Sequence, residues 1–423
     1  MLNRRDAMML LAASGLLASP ARSAPRIVLR QSVNSMDSAA PEMDALRKAI
    51  PLMRQSGYWD RLVEVHNRNW NQHHSWLFLP WHRMFLYQFE RAVRRLTYDD
   101  FRMPYLDWDA DHIPPTLYDP PFDHPGRTHG TDDSMREFQG AAGLFSLSAP
   151  RSFYGFFGER DYGGDDESYG HNLVHVFVGG DMGVIATAPR DPLFWFHHSN
   201  VDRLWWYWSG LHQCQSQPCY PDDWLDEQIR GVTNPEGETL PPVAVRSLLW
   251  TQSLGYDYNS LPVVRMARPG QELAAPGIYR TLTHALRLLD RPSQSTMVSL
   301  PKDLLLSMLA ASRVEVDAPL RVRSASMEPH EIRISLVGRN VLQAESIFAM
   351  PMGMSEAGCS YVKDIGSMFN SLAKGLSRQA AIQRIAAEPF GLRVEAMPLK
   401  GATAREAPKL TQCTCAITAR VWS

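Results

Sequence analysis

Histidine, whose side chain binds metals and transfers protons near neutral pH, is concentrated in two short segments of the sequence. Of the 14 histidines, four lie within residues 66–82 and four within residues 171–198. Nine of the 12 tryptophans flank the same two segments. Because aromatic walls exclude water and restrict what can enter, we expect the two segments to form one buried site.

The composition of this histidine set favours a transition metal. His171 and His175 are four residues apart, a weak signal by itself, which on a helix places both imidazoles on one face. Three imidazoles from each segment, without regularly interleaved carboxylates or thiolates, favour a borderline or soft metal over calcium or magnesium. Zinc would usually recruit cysteine or a carboxylate, or keep a single three-histidine site. Two facing three-histidine sites instead suit two copper ions that bind dioxygen. The candidate ligands are His66, His73, His82, His171, His175 and His198.

The surrounding sequence predicts helices that would position these histidines. Helical spacing of apolar residues predicts helices over residues 43–50 and 58–67 and another that begins near Pro80. A further helix is predicted around the second segment, with Ser199 or Asn200 near its first turn. Residues 110–170 are rich in Pro, Gly and Asp, which is typical of long loops. The expected fold class is therefore a mainly α domain over residues 26–265.

The sequence changes character after about residue 260. Segments such as RVEVDAPLRVRSAS and HEIRISLVG alternate apolar with polar residues, which predicts strands. We therefore expect a separate β-rich C-terminal domain over residues 301–423, interrupted by one helix. Residues 266–300, which contain three prolines, are predicted to be a connector.

The first 23 residues are typical of an export signal. Paired arginines at positions 4 and 5 precede an apolar stretch over residues 7–18 and a small-residue exit, as in twin-arginine signals. This stretch is too short to span a bilayer, so we expect export to the periplasm or the medium without stable membrane insertion. Since 43 basic residues face 45 acidic ones, nucleic acid is not an expected partner.

The five cysteines allow a local disulfide. Cys214 and Cys219 lie in one loop and could pair in an oxidising compartment. Cys359, Cys413 and Cys415 then leave at least one thiol that is unpaired or committed to other chemistry.

Two stretches of the sequence resemble the copper-binding signatures of the tyrosinase / polyphenol oxidase (type-3 copper) family. They are HHSWLFLPWHRMFLYQFE and HNLVHVFVGG followed by DPLFWFHHSNVDRLWWYW, and the resemblance covers roughly residues 58–258. It implies an exported, bacterial-type member in which a four-helix bundle holds two copper ions. The implied ligands are His66, His73 and His82 for the first copper, and His171, His175 and His198 for the second.

The resemblance also implies roles for neighbouring residues. His74 and His197 are expected to support the site rather than to bind metal, and Arg83 and Asp202 to tie the two ligand helices together. The motif LGYDY at residues 254–258 is expected to be structural.

The sequence departs from the family pattern around the first copper. His66 and His73 are only seven residues apart, which on an unbroken helix would separate them by roughly 10 Å. The helix must therefore end near residues 67–71. Many relatives carry a cysteine in this loop that is cross-linked to the second ligand, but no cysteine precedes Cys214, so that cross-link cannot form here.

The implied reaction is copper-dependent oxidation of phenols and o-diphenols by dioxygen to o-quinones. In the family, a glutamate and an asparagine hold a water that acts as a base, and Glu167 and Asn172 match them. Glu167 could instead be a solvated acid in an acidic loop. The alternative functions are a diphenol-only or o-aminophenol oxidase and a haemocyanin-like oxygen carrier. A structural dizinc protein is a further alternative.

The C-terminal domain is expected to cover the site, since such domains keep relatives latent. Its methionines at 350, 352 and 354 and its cysteines could also deliver Cu(I), which would make this domain an internal copper chaperone in place of a separate one. The alternative is that these residues fill the core or form a disulfide.

Overall fold

The computed structural model describes a helical N-terminal part and a β-rich C-terminal part. The described residues are 26–108, 110, 112–127, 153–164, 167, 171–215, 218–259, 279–311, 313–326, 329–350, 359–399 and 408–422. The predicted export signal over residues 1–23 therefore lies outside them, as do residues 266–278 of the predicted connector. Within these ranges, the helices all fall short of the length and apolar character that crossing a bilayer requires.

Nine α-helices are described in these ranges. They are α1 (Pro41–Gln55), α2 (Tyr58–Arg68), α3 (Phe78–Leu96), α4 (Phe153–Phe157), α5 (Asn172–Val178), α6 (Leu193–Leu211), α7 (Asp222–Leu225), α8 (Lys302–Ala310) and α9 (Arg378–Ala387). Helix α3 packs against α6 and α1, and α1 packs against α2. Helix α6 is buried along most of its length, and its buried side chains include both large apolar residues and polar ones such as His198 and Asp202.

The ends of two helices decide where the histidines lie. Helix α2 ends at Arg68, as the short spacing between His66 and His73 predicts, and the side-chain amide of Asn69 donates to the terminal carbonyl of Val65 at 2.7 Å. Helix α6 begins at Leu193, so the prediction that Ser199 or Asn200 lies near its first turn is wrong. The carboxylate of Asp191 accepts from the Leu193 N–H at 2.8 Å and starts the helix earlier.

The strands in the described ranges are short in the N-terminal part and longer in the C-terminal part. They are β1 (Val28–Arg30), β2 (Gly158–Glu159), β3 (Tyr162–Gly163), β4 (Gln228–Ile229), β5 (Val243–Ala244), β6 (Tyr256–Tyr258), β7 (Tyr279–Arg287), β8 (Ser295–Ser299), β9 (Arg313–Asp317), β10 (Pro319–Ala325), β11 (His330–Val337), β12 (Val341–Ala349), β13 (Cys359–Asp364), β14 (Gly391–Pro398) and β15 (Lys409–Trp422).

Two sheets form the C-terminal part. One has the order β12-β11-β14-β8, and the other runs β2-β3-β13-β10-β15-β7, with β9 also paired to β15. Alternate residues of β10 are buried, as the sequence pattern predicts. The second sheet includes the hairpin β2–β3 of the helical part, because β3 pairs in parallel with β13 at Gly163 and Tyr361.

The predicted connector over residues 266–300 requires a correction. Strands β7 and β8 lie within it, and they pair with β15 and β14, respectively. Within the described residues of this segment, Pro292 lies between the two strands and interrupts neither of them. The C-terminal sheets therefore already include residue 279.

The cysteines follow the sequence-based expectation in part. Cys214 and Cys219 form the local disulfide that their spacing allows. Cys359, Cys413 and Cys415 lie on β13 and β15, where all three are buried. Within the described part of the chain, the groups of side chains that could hold a metal contain histidines and no cysteine.

A buried carboxylate joins the helical part together. Asp202 on α6 accepts hydrogen bonds from Arg83 on α3, from Arg30 on β1 at 2.8 Å, and from the hydroxyls of Tyr256 and Tyr258 on β6. Burial alone would raise the pKa of Asp202, but the two guanidinium groups outweigh it and hold this pKa below its ordinary value. The predicted link between the two ligand helices and the structural role of the 254–258 motif are thus confirmed.

Substitution of Asp202 by Ala is expected to lower the free energy of unfolding by about 3–5 kcal/mol, because two buried guanidinium groups lose their shared counter-charge. Denaturant unfolding of the metal-free protein measures this loss. Asp226→Ala is the matched control, since its ion pair with Arg246 is more than half exposed, and it should cost at most about 1 kcal/mol. Equal losses in the two variants would contradict the role assigned to Asp202.

Candidate metal centre

The first histidine segment brings three imidazoles together. His66 lies near the end of α2, His73 follows a short 3-10 turn, and His82 lies in the second turn of α3. One nitrogen from each lies within 4.8 Å of the others, and the Nε2 atoms of His66 and His82 are 3.4 Å apart. Two nitrogens bound to one tetrahedral ion at about 2.0–2.1 Å would be roughly 3.3 Å apart, so the spacing fits a shared ion.

The second segment forms a similar group. His171 directly precedes α5, His175 lies one turn further along it, and His198 projects from α6. The Nε2 atoms of His171 and His198 are 3.3 Å apart, and the group also includes His197. The six candidate ligands predicted from the sequence are therefore assembled in two groups, of which the second also contains His197.

Hydrogen bonds on the far side of three rings fix which nitrogen faces inward. The Nδ1 atom of His82 donates to the Phe78 carbonyl at 2.8 Å, that of His175 to the Met182 carbonyl at 2.7 Å, and that of His171 to the Asn172 side chain at 2.9 Å. A ring nitrogen that faces a carbonyl oxygen must carry the hydrogen. The Nε2 atom of each ring therefore keeps its lone pair for a metal.

Burial keeps these imidazoles neutral. Each of the six is at most 4% exposed, and burial lowers the pKa of His82 to about 3 and that of His175 to about 4. The same cause, reinforced by neighbouring imidazoles, lowers the pKa of the other four. Neutral imidazoles are the form that binds metal ions, so the set needs no proton release near neutral pH.

The two groups are in direct contact with each other. The rings of His82 and His198 stack with centroids 4.3 Å apart and planes at 13°. Phe78 packs against both groups, 4.6 Å from His82 and 4.5 Å from His171, and Phe194 lies 4.1 Å from His198. Two ions held by these groups would be neighbours in an apolar enclosure.

The two remaining histidines of the segments occupy different surroundings. His197 stacks on Trp108 at 5.3 Å, and neither of its ring nitrogens has a hydrogen-bond partner among the described residues. His74 has a positive φ of 56°, and its Nε2 accepts from the hydroxyl of Tyr361 at 2.8 Å. His74 is therefore turned away from the first group and towards the C-terminal part.

Glu167 and Asn172 both lie beside the histidine groups. Glu167 is buried, and its carboxylate accepts from the backbone N–H of His74 at 2.7 and 2.9 Å. The alternative that Glu167 is a solvated acid is therefore wrong. The Asn172 side chain accepts from His171 and donates to the Tyr361 hydroxyl at 2.7 Å.

Sequence reasoning missed two residues of this region. Tyr361 belongs to β13 and enters the site only because β13 pairs with β3, a contact between residues almost 200 positions apart. Gly163 on β3 has no room for a side chain, since a Cβ atom there would lie 2.2 Å from Glu167 Oε2 and 3.1 Å from His74 Cα. No local signal in the sequence identifies the partner of β13.

Comparison with known proteins finds similarity over the helical part. Residues 56–143 and 131–211 match the family model described as the common central domain of tyrosinase. The chain is 32% identical over 254 residues to the latent form of a chloroplastic polyphenol oxidase of Prunus armeniaca. This match covers 49% of this chain and 40% of that protein. It is 28% identical over 249 residues to a tyrosinase of Hahella sp. (strain CCB-MM4), with 48% of each covered. The chain thus spans less than half the length of these curated relatives.

A solved structure extends the similarity to the whole fold. Latent apple tyrosinase superimposes with a TM-score of 0.62 at 20% identity, and the match covers 93% of this chain and 97% of that one. The helical core and the β-rich C-terminal part therefore occur together in that protein as well.

Substitution of Gly163 by Ala is expected to lower the free energy of unfolding of the metal-free protein by about 1–3 kcal/mol, because the new methyl group overlaps the Glu167 carboxylate. Denaturant unfolding measures the change. In a Glu167→Ala background the same substitution should cost less, since the overlapping carboxylate is gone. The control is Gly210→Ala in α6, where the space is open and the helix should gain about 0.5–1 kcal/mol. An equal cost of Gly163→Ala in both backgrounds would contradict this packing.

Proposed function

We propose that this protein, whose residues 56–143 and 131–211 match the model of the common central domain of tyrosinase, is a type-3 copper oxidoreductase that oxidises phenols and o-diphenols to o-quinones with dioxygen. The observation that carries the proposal is the pair of adjacent, buried groups of neutral imidazoles, three in the first group and four in the second. We assign His66, His73 and His82 to one copper ion and His171, His175 and His198 to the other. Neutral nitrogen ligands suit copper in both of its common oxidation states.

The donor set fits copper on the chemistry of its atoms. Both groups offer nitrogen only, and the Nε2 lone pairs of His82, His171 and His175 face inward because the opposite nitrogens donate to fixed oxygens. Bound copper would supply the transfer of electrons from a phenol to dioxygen. The surrounding chain would orient the ligands, and Phe78 and Phe194 would exclude water.

Glu167 and Asn172 are proposed to handle the phenolic proton. Glu167 is buried beside the first histidine group, and Asn172 directly follows a ligand of the second. A carboxylate and an amide in these positions can hold a water molecule that accepts a proton from an entering phenol. This would extend the activity from o-diphenols to monophenols.

We further propose that the C-terminal part covers the site and keeps the protein latent. Arg321 on β10 donates to the Glu159 carboxylate at 2.7 Å, and Gln412 donates to the hydroxyl of Tyr162 at 3.1 Å, which joins β10 and β15 to the hairpin β2–β3. In finer detail, we propose a four-helix bundle in which α2, α3, α5 and α6 position the copper ligands, export through the twin-arginine route, and delivery of copper by the C-terminal domain itself. The last proposal fails if Cys413→Ser/Cys415→Ser retains a normal copper content.

Three alternatives remain distinct in their behaviour. A diphenol-only or o-aminophenol oxidase would consume dioxygen with a catechol or an o-aminophenol but not with the matching monophenol. A haemocyanin-like carrier would bind dioxygen reversibly without turnover. A structural dizinc protein would differ from all of these in containing zinc instead of copper, which metal analysis would show.

Reconstitution of the metal-free protein with copper is expected to load two ions per chain and to produce dioxygen consumption with catechol. His198→Ala should retain about one copper and lose activity, because one site loses a ligand. His197→Ala, a change at the adjacent position, should retain two. Copper content by mass spectrometry and an oxygen electrode measure both properties. Two coppers in His198→Ala together with one in His197→Ala would reverse the ligand assignment, and no turnover in the wild type would refute the function.

Substitution of Arg321 by Ala is expected to raise catechol oxidation roughly fivefold in the full-length chain. Loss of a partly exposed ion pair weakens the contact between the two parts by about 1 kcal/mol, which increases the uncovered population by that factor. Initial rates of oxygen uptake measure the change. Arg287→Ala removes an exposed ion pair within the C-terminal part and should leave the rate unchanged. Equal rates for Arg321→Ala and the wild type would argue against covering.

A further inference from the structure

A tyrosine of the C-terminal part forms hydrogen bonds with polar groups from both histidine segments. The hydroxyl of Tyr361 accepts from the Asn172 side-chain amide at 2.7 Å and donates to His74 Nε2 at 2.8 Å. Its ring packs edge-on against that of His74, with centroids 4.7 Å apart. All three side chains are buried. One hydroxyl thus links the first histidine segment to the second.

The two groups that Tyr361 bonds are next to metal-ligand candidates in the chain. His74 follows His73, and Asn172 follows His171. A buried polar atom without a partner costs free energy, so each group favours any hydroxyl that can reach it. The amide can donate and the imidazole can accept, which is the pair of contacts that a single phenolic hydroxyl can satisfy.

Main-chain pairing fixes the position of the Tyr361 hydroxyl. Strand β13 runs parallel to β3 with Tyr361 opposite Gly163, and it is paired on its other side with β10. Gly163 in turn is in close contact with Glu167 and His74. The backbone of Tyr361 is therefore fixed by pairing on both sides of its strand, and this fixes the region that its hydroxyl can reach.

We propose that Tyr361 is a specificity-determining residue: its hydroxyl occupies the Asn172 amide and the His74 imidazole, so that the intact chain discriminates against ligands with a single phenolic hydroxyl. The inference rests on the proposed function. A monophenol has only protein groups to bond its hydroxyl. In an o-diphenol, one hydroxyl can donate to the oxygen of its neighbour on the ring, so binding depends less on Asn172 and His74.

Binding to the metal-free, full-length chain tests the contact without any reaction. The probes are 4-nitrophenol and 4-nitroanisole, which differ only in a hydroxyl and a methyl ether, and tryptophan fluorescence reports their binding. Tyr361→Phe keeps the ring and removes the hydroxyl, so the preference for the phenol over the ether should rise severalfold. Tyr162→Phe removes another hydroxyl at the same interface and should not change this preference.

Each other result of the binding experiment overturns the proposal. An unchanged preference in Tyr361→Phe would show that the hydroxyl does not control these groups. If Tyr361→Ala, which also removes the ring, strengthens binding of phenol and ether equally, then Tyr361 acts as a steric cover alone. Thermal unfolding of each variant shows whether it is folded. If Tyr361→Phe is not folded, binding of the phenol and the ether is compared in Tyr361→Ala instead.

Oxygen uptake by the copper-loaded protein is the second arm. In Tyr361→Phe, the ratio of kcat/KM for phenol to that for catechol should rise at least fivefold, while this ratio should stay unchanged in Tyr162→Phe. A parallel rise for phenol and catechol in Tyr361→Phe would overturn the assignment of specificity. If the wild type shows no turnover, the proposed function fails, whereas the binding experiment still decides the role of Tyr361.

Discussion

The carboxylate of Asp202 is the single group on which the geometry of the helical part depends. It binds Arg83 from the first ligand helix and Arg30 from the N-terminal strand, and it lies one turn from His198 on its own helix. A buried carboxylate between two guanidinium groups tolerates little displacement, because separation would leave buried charge that is only partly compensated, as by Glu90 beside Arg30. The distance between the two histidine groups is therefore set by an electrostatic contact outside them.

Burial serves the histidine groups in two ways. It excludes the charged form of each imidazole, which would repel a cation, and it surrounds the groups with aromatic rings that make no competing hydrogen bonds. Polar contacts to the outer nitrogens then select the inward-facing lone pairs. Glu167 and Asn172 add polar atoms next to this apolar enclosure, which is where the proposed phenolic substrate would need them.

Local signals in the sequence predicted most of the helical part, because its key contacts follow from spacing. The end of α2 near Asn69 was predictable from the His66–His73 separation, and the link between Arg83 and Asp202 from the resemblance to a known family. The start of α6 was not, since Asp191 initiates the helix through a side-chain contact that apolar periodicity does not encode. The sequence predicts a connector where strands β7 and β8 lie, because their partner strands are more than 90 residues further along the chain. Tyr361 was missed for the same reason.

The sheet shared by the two parts gives the C-terminal part a structural role in the helical part. Strands β2 and β3 are two residues long each, too short to be stable as an isolated hairpin, and β13 provides their neighbour. The Glu159 carbonyl on this hairpin accepts from the Trp76 N–H at 2.8 Å, close to His73. Departure of the C-terminal part would leave β13 as a bare edge that invites self-association, and would also remove a support of the loop that carries His73. Cleavage between the parts therefore need not release a soluble fragment or an unaltered centre.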